Sequence, residues 1–361
     1  MTDTHPSESR PTIGITMGDP HGIGAEVIVK ALADHSLRER ARFVVYGLAE
    51  QFETAADFAE LQPYWRVAPR GIENSDSGTN VRVLDFDEFS MHRRGPAQAT
   101  PEGGRASMAF LEDAMRDARF DEIDAIVTGP INKTSWKLAG YTKIPGHTEL
   151  LAERFRSRRV TMMFVGGPLR VALASTHVAL FDLRNQFTIG HVFQPIDLMH
   201  QALTDWFGFT RPRIAVAGLN PHASENGRFG DEEARIIEPA IDMARNHGIE
   251  ASGPYPADTL FRRAAQGEFD GVVAMYHDQA LIPVKLLAFD EAVNITLGLP
   301  IIRTSVDHGT AFDIVDRNRA DPGSMKSAIR LAIELAEQRR AKRLRDAADS
   351  ESSNATEDSN S

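Results

Sequence analysis

The chain contains no cysteine among its 361 residues. This absence excludes disulfide bonds, zinc–thiolate sites and cysteine nucleophiles, so any metal ion must be held by histidine, aspartate or glutamate. No apolar run approaches the roughly 18 residues that a membrane-spanning helix needs. The first ten residues, MTDTHPSESR, are polar and lack the apolar centre of a signal peptide, so we expect a cytoplasmic protein.

The chain also lacks the common dinucleotide-binding fingerprint. A strand is predicted over residues 12–17 and a helix over residues 26–33, and the segment GDPHGIGAE joins them. Its glycines, Gly18, Gly22 and Gly24, do not have the G-x-G-x-x-G spacing. Strand, glycine-rich turn and helix can still offer backbone N–H groups to an anion. A tight turn that needs positive φ would use the same glycines.

Basic residues are in the minority, 40 against 51 acidic residues, which gives a net charge of -11. This balance argues against general nucleic-acid binding and against attraction to anionic membranes. With 42% hydrophobic residues, the chain can bury a large core, and its length favours two domains. A last helix is predicted over residues 322–337, and the composition after residue 345 predicts a disordered, solvated tail.

Polar side chains follow the predicted strands at several points. The apolar run before Tyr276 is followed by four polar residues that include His277, and a later apolar segment ends in the polar run that begins at Arg303. Lys285 and Asn294 lie between these two segments. Because ligands bind at the C-terminal ends of strands in α/β sheets, residues 270–314 are predicted to carry a site.

Three histidines share one position, just after a predicted strand: His177, His222 and His277. With Asp258, in a predicted turn, as a fourth donor, they would suit Zn²⁺, Co²⁺ or another divalent ion. They lie tens of residues apart, so no local spacing motif such as H-E-x-x-H supports the metal. A single histidine after a strand usually has no ligand role, and the residues alone leave both interpretations open.

Two cations could hold an anionic substrate. Lys285 and Arg303 could bind a carboxylate or phosphate, and arginine can do so bidentately. Salt bridges to Asp290 or Glu291 are the alternative. The segment TGPINK, at another strand end, indicates either a rim of polar groups or a capped loop.

A second anion contact is predicted at a helix start. His147 and Thr148 begin a predicted helix, where backbone N–H groups favour an anion. A divalent ion beside a hydroxyl would suit removal of hydride followed by loss of CO₂ from a β-keto acid. It would equally suit a phosphatase or hydrolase that uses metal-bound water, and the residue pattern does not separate these chemistries.

Several motifs together resemble one family over nearly all of residues 12–336. They are GDPHGIGAE, TGPINK, PGHTELLAER, ALASTHVAL, AGLNPHASENGRFGDEE, GPYPADTLF, AMYHDQALIPVK and NITLGLPIIRTSVDHGTA. The sequence resembles the 4-hydroxythreonine-4-phosphate dehydrogenase family of pyridoxal 5′-phosphate synthesis. The resemblance implies an isocitrate/isopropylmalate dehydrogenase-like fold, with two α/β domains, a cleft between them and non-Rossmann NAD binding. It also implies a homodimer with active sites at the subunit interface.

The resemblance implies roles for individual residues. Divalent-metal ligands would be His177, His222 and His277, contributed by both subunits. Substrate contacts would be His147, Thr148, Lys285, Asn294 and Arg303, and Asp258 and Lys285 would be catalytic. A more distant likeness assigns NAD or NADP to Asp307, His308, Gly309 and Thr310. The first domain is expected to comprise residues 12–125 and 290–338, and the second, with the metal site and dimer contact, residues 126–289. Residues 1–11 and 339–361 are expected to be disordered.

The implied reaction is oxidation of 4-phosphooxy-L-threonine at its C3 hydroxyl, with NAD or NADP and one Zn²⁺, Mg²⁺ or Co²⁺ ion per site. Decarboxylation then gives 3-amino-2-oxopropyl phosphate. Related enzymes oxidise D-threonate or D-erythronate 4-phosphate, and nothing in the sequence reports on the substrate's amino group. A metal-dependent phosphohydrolase is the alternative from another class. His21 departs from the family pattern, where a small residue such as alanine is expected.

Overall fold

The computed structural model describes residues 10–69, 79–89 and 97–358, with side chains up to residue 349. The chain forms two compact units. The first unit comprises Met1–Ser157 and Leu299–Ile333, and the second comprises Arg158–Gly298 and Glu334–Ser361. Nearly all of the N-terminal segment expected to be disordered lies outside the described residues. Within the described ranges, no helix combines the length and apolar character needed to cross a membrane.

Helices and strands alternate along most of the chain. The strands are β1 (Thr12–Thr16), β2 (Arg42–Gly47), β3 (Arg66–Pro69), β4 (Val81–Asp85), β5 (Ala125–Thr128), β6 (Thr161–Gly166), β7 (Leu169–Leu173), β8 (Ile214–Ala217), β9 (Ala251–Tyr255), β10 (Gly271–Ala274), β11 (Val293–Leu297) and β12 (Ile302–Ser305). The α-helices are α1 (Gly24–Leu32), α2 (His35–Arg40), α3 (Ala49–Phe58), α4 (Pro101–Arg119), α5 (Lys133–Leu138), α6 (His147–Arg154), α7 (Leu183–Gln186), α8 (Ile189–Asp205), α9 (Glu238–Asn246), α10 (Ala257–Ala265), α11 (His277–Ala288) and α12 (Gly323–Asp358).

The first unit is built on a parallel sheet with the strand order β3-β4-β2-β1-β5-β12. Its central strands are buried along their length, as expected for a parallel sheet covered by helices on both faces. Thr128 and Ser305 pair at the C-terminal ends of β5 and β12. The polar residues that follow these strands therefore start at one edge of the sheet.

The second unit has the strand order β11-β6-β7-β10-β8-β9. Strands β7, β10, β8 and β9 run parallel, whereas β6 is antiparallel to both of its neighbours. Its core includes Phe164, Val171, Leu260, Val272 and Val284, all of which are almost fully buried. Burial of each such side chain contributes about 1.5–3 kcal/mol to folding. The predicted α/β fold class is confirmed.

Helix α4 of the first unit begins with a capped turn. Helix α4 starts at Pro101, because Thr100 Oγ1 accepts a hydrogen bond from Gly103 N at 3.0 Å and proline suits the first helical position. Asp258, predicted to lie in a turn, lies in the first turn of α10.

Helix α12 is longer than the predicted last helix, which ends at residue 337. It continues to Asp358, and residues 338–348 remain rich in alanine, lysine and arginine, which are good helix formers. The Lys342 ammonium also binds the Asp205 carboxylate on α8. The described helix therefore enters the segment for which disorder is predicted.

Candidate active site

The second unit places the three predicted metal histidines after three neighbouring parallel strands. His177 lies in the loop after β7, His277 is the first residue of α11 after β10, and His222 lies in the 3₁₀ turn after β8. Strand β9 is next in the sheet, and Asp258 follows it. The four residues predicted as donors thus follow the C-terminal ends of four strands that are neighbours in the sheet.

Two of these histidines face each other. The ring centroids of His177 and His277 are 5.9 Å apart. His277 Nδ1 lies 2.7 Å from Asp278 Oδ1, an arrangement that orients the ring and leaves Nε2 for a ligand. Among the described residues, no group of three or more histidine, aspartate or glutamate side chains is close enough to hold a metal ion. The histidine pair is formed, and the complete ligand set stays a prediction.

The turn that carries His222 has a strained backbone. Residues 222–226 all have positive φ, between 46° and 65°, and none of them is glycine. Such residues cost about 1–2 kcal/mol each. The buried carboxylate of Glu233 stabilises the start of this turn, because it accepts hydrogen bonds from Leu219 N at 2.8 Å and Asn220 N at 2.7 Å.

In the first unit, a buried arginine lies within strand β12 and reaches Thr128 at the C-terminal end of β5. Arg303, in β12, is only 2% exposed. Its Nη2 donates to Thr128 Oγ1 at 2.7 Å and lies 3.3 Å from His147 Nδ1. Burial lowers the pKa of Arg303 to about 10, and the negative charge of the Glu149 carboxylate partly offsets this decrease. The guanidinium therefore keeps its charge at neutral pH.

The same contacts fix the protonation of His147. Burial, together with the positive charges of Arg303 and Lys133, lowers its pKa well below the ordinary value of 6.5, so the ring is neutral. A guanidinium only donates hydrogen bonds, so Nδ1 must accept and the proton must be on Nε2. Nε2 is enclosed and has no hydrogen-bond partner in the described part of the chain. The site therefore contains an oriented N–H donor that lacks an acceptor.

Residues near His147 add to this site. Thr148 follows it in the first turn of α6, and Trp136 contacts its ring edge-on at 5.7 Å between centroids. Lys133 begins α5, and a Cβ atom on Gly146 would lie 3.4 Å from its Cε atom. Sequence reasoning did not assign roles to Thr128, Lys133 or Trp136, although the segment TGPINK gave a signal for Lys133.

The predicted cofactor residues lie beside the glycine-rich turn in the first unit. Ile23 N donates to Thr310 O at 3.1 Å. A Cβ atom on Gly22 would lie 2.9 Å from Thr310 Cβ, so only glycine allows this approach. Asp307, His308 and Gly309 complete the loop, and His308 Nε2 is enclosed without a hydrogen-bond partner among described residues.

The remaining predicted residues, Lys285 and Asn294, lie in the second unit. Lys285 is on α11, with Nζ 5.7 Å from the centroid of the Phe289 ring. Asn294 is in β11, and its Oδ1 is enclosed without a partner in the described ranges. An amide oxygen in this state is ready to accept a hydrogen bond from a ligand.

Comparison with known proteins identifies the family. The family model for pyridoxal phosphate biosynthetic protein PdxA matches residues 39–332. The chain belongs to this family. The resemblance drawn from the sequence motifs is thereby confirmed.

The chain is similar to relatives with two different names. It is 45% identical to a 4-hydroxythreonine-4-phosphate dehydrogenase of Desulforapulum autotrophicum, covering 90% of this chain and 96% of the relative. It is 44% identical to a D-threonate 4-phosphate dehydrogenase of Cupriavidus necator, covering 92% and 99%. The crystal structure of 4-hydroxythreonine-4-phosphate dehydrogenase from Klebsiella pneumoniae superposes with a TM-score of 0.81 at 39% identity, covering 90% and 99%. The PdxA relatives therefore share the whole fold with this chain.

Proposed function

We propose that this protein oxidises 4-phosphooxy-L-threonine at C3 with NAD or NADP, and that the product loses CO₂ to give 3-amino-2-oxopropyl phosphate. The observation that carries this proposal is the placement of His177, His277 and His222 after three neighbouring parallel strands in a PdxA-family chain. This arrangement supports a dehydrogenase that uses a metal ion to act on a hydroxyl group.

The donor set fits a divalent ion such as Zn²⁺, Co²⁺ or Mg²⁺. His177, His222 and His277 would hold it, with Asp258 proposed as a further donor and His277 oriented by Asp278. When bound, the ion would polarise the substrate oxygen and stabilise the negative charge that develops during oxidation and decarboxylation.

The anionic part of the substrate is assigned to the site around Arg303. The charged guanidinium supplies electrostatic attraction, and the Nε2–H group of His147 supplies an oriented donor for a phosphate oxygen. Thr148 would donate or accept a further hydrogen bond there, and Asn294 is proposed separately as a contact of the substrate. Lys133, whose ammonium lies near Gly146, adds a second positive charge to the same site.

Proton transfer is assigned to Lys285 and Asp258. Oxidation at C3 requires that the C3 hydroxyl lose its proton to a base. The C1–C2 bond of the resulting β-keto acid then breaks, CO₂ leaves, and C2 must gain a proton. An amine and a carboxylate can serve these two opposite transfers.

The cofactor is assigned to the loop of Asp307, His308, Gly309 and Thr310, together with the glycine-rich turn that it contacts. Backbone N–H groups at the start of α1 suit a diphosphate. The choice between NAD and NADP stays open.

A second candidate is oxidation of D-threonate or D-erythronate 4-phosphate. It is favoured by the nearly equal identity of the chain to relatives with either name, 45% and 44%. Both reactions need the same phosphate and metal contacts, and they differ in the amino group of the substrate.

Formation of NADH or NADPH separates these candidates when each substrate is supplied with Zn²⁺, Co²⁺ or Mg²⁺, or with a chelator. Turnover of the aminated substrate alone supports the first proposal. Turnover of the phosphotetronates alone supports the second. Release of phosphate without reduced cofactor would contradict both and indicate a phosphohydrolase.

We also propose that the protein is a homodimer and that α11 forms part of the contact. Ile282, Leu286 and Phe289 are largely exposed and follow one another at helical spacing. The same helix begins with His277 and carries Lys285. A partner that covers this stripe would therefore lie next to the proposed site. The cytoplasmic location stays a prediction.

A further inference from the structure

One buried side chain joins two of the loops that carry the histidines. Gln279 lies in the first turn of α11 and is 8% exposed. Its Oε1 accepts a hydrogen bond from Met275 N at 2.6 Å, and its Nε2 donates to Gly218 O at 2.8 Å. Met275 follows β10 and lies two residues before His277. Gly218 follows β8 and lies in the loop that leads to His222. A single amide therefore connects the backbones before both histidines.

The third histidine loop is joined to the same point. Ser175 lies two residues before His177, and its Oγ donates a hydrogen bond to Met275 O at 2.7 Å. The C-terminal end of β9 is also connected. Gly218 N donates a hydrogen bond at 2.8 Å to the carbonyl of Tyr255, the last residue of β9 before α10 and Asp258. The backbone around Met275 and Gly218 thus links all four loops that carry the proposed donors.

Strand pairing does not extend to the loops that follow β8 and β10. The pairing of β10 with β8 ends at Val273 and Val216, before the loops begin. Beyond that point, the Gln279 amide supplies a hydrogen bond that joins these two loops. The bridge between Met275 and Gly218 needs an acceptor and a donor on one side chain, which an amide provides.

A capping role would explain only one of the two bonds. Gln279 is the third residue of α11, where glutamine or glutamate often accepts from a backbone N–H just before the helix. The bond from Nε2 to Gly218 O adds nothing to the helix, since its acceptor lies 61 residues away in sequence. It acts only between the two loops.

We propose that Gln279 is a positioning residue for the metal site, and that it sets the separation of His222 from His277 without touching the ion. The inference rests on the metal site proposed above. Metal sites need ligands held within about 0.5 Å of the required positions, so a change in loop separation weakens binding.

The test replaces Gln279 with glutamate. Gln279→Glu keeps the size of the side chain and its acceptor for Met275 N, and an acidic group near a helix N-terminus is favourable. It removes only the donor and places a carboxylate oxygen against the carbonyl of Gly218. We expect the Co²⁺ dissociation constant, measured by competition with a chelator, to rise about tenfold or more. We also expect the visible absorption bands of bound Co²⁺ to change.

A matched control is available on α8 in the same unit. Gln194 Nε2 donates to Val160 O at 2.9 Å, just before β6 and away from the histidine loops. Gln194→Glu removes the same kind of hydrogen bond and should leave Co²⁺ affinity and spectrum unchanged. Gln279→Met, which loses both bonds without adding charge, is the second variant if Gln279→Glu fails to fold.

The outcomes separate the two proposals. Wild-type Co²⁺ affinity and spectrum in folded Gln279→Glu or Gln279→Met would overturn the positioning role while leaving the metal site intact. Absence of Co²⁺ and Zn²⁺ binding by the wild-type protein would overturn the metal site and the role of Gln279 with it. Equal weakening in Gln194→Glu would show a general loss of stability and would also overturn the inference.

Discussion

We predict that the protonated Nε2 atom of His147 contacts the substrate, while Nδ1 contacts Arg303. Two substitutions of His147 can distinguish the roles of these two nitrogen atoms. In glutamine, the amide nitrogen reaches close to the position of Nε2. In asparagine, the shorter amide reaches only the position of Nδ1. His147→Gln can therefore keep the proposed donor to the substrate, whereas His147→Asn can keep only the acceptor for Arg303.

The expected difference follows from one hydrogen bond to a charged oxygen. Such a bond contributes about 1.5–3 kcal/mol. Since 1.4 kcal/mol corresponds to a tenfold change, His147→Asn should lower kcat/KM for the phosphorylated substrate roughly 10- to 150-fold. His147→Gln should lose much less, because a neutral donor remains near Nε2.

The assay is the rate of NADH or NADPH formation at several substrate concentrations, for the wild type and both variants. Circular dichroism spectra should show that both variants are folded. A large loss in His147→Gln with little loss in His147→Asn would refute the reasoning. It would mean that Nδ1, and not Nε2, faces the substrate.

Three further predictions concern other parts of the molecule. The lowered pKa of His147 means that only the unfolded chain binds its proton just below pH 6.5. Stability should therefore fall as pH falls below 6.5, by up to about 1.4 kcal/mol per pH unit, and this part of the loss should be absent in His147→Gln when denaturation is followed across pH. His222→Ala should lose bound metal and activity while it stays folded, as measured by metal analysis and circular dichroism. Leu286→Glu should dissociate the dimer in sedimentation experiments, whereas Leu344→Glu, at an exposed leucine on α12, should not.

Each of these predictions has a contrary result. Parallel pH profiles for the wild type and His147→Gln would show that this histidine does not titrate between the folded and unfolded states. Full metal content in His222→Ala would remove that residue from the ligand set. A monomeric wild-type protein, or an intact Leu286→Glu dimer, would exclude the stripe on α11 as the contact.

Local patterns in the sequence predicted most of the strands near the site. Short apolar runs followed by polar residues indicate buried strands and their ends, and β10 with His277 follows this rule. Arg303 departs from it, because the arginine lies within β12 and is buried instead of following the strand. The family motifs then indicated which of these polar residues to consider. Helix caps are less visible in the sequence, as at Thr100, which caps α4 just before Pro101.

The order of the strands in space was decided only by the tertiary structure. Strands β7, β8, β9 and β10 follow one another in the chain, but β10 lies between β7 and β8 in the sheet. This insertion brings His277 next to His177 and allows Gln279 to reach Gly218. Similarly, Arg303 and His147 are 156 residues apart in sequence, and only their contact fixes the proton on Nε2. A residue pattern carries chemistry and local conformation, whereas the neighbours of a side chain depend on the packing of distant segments.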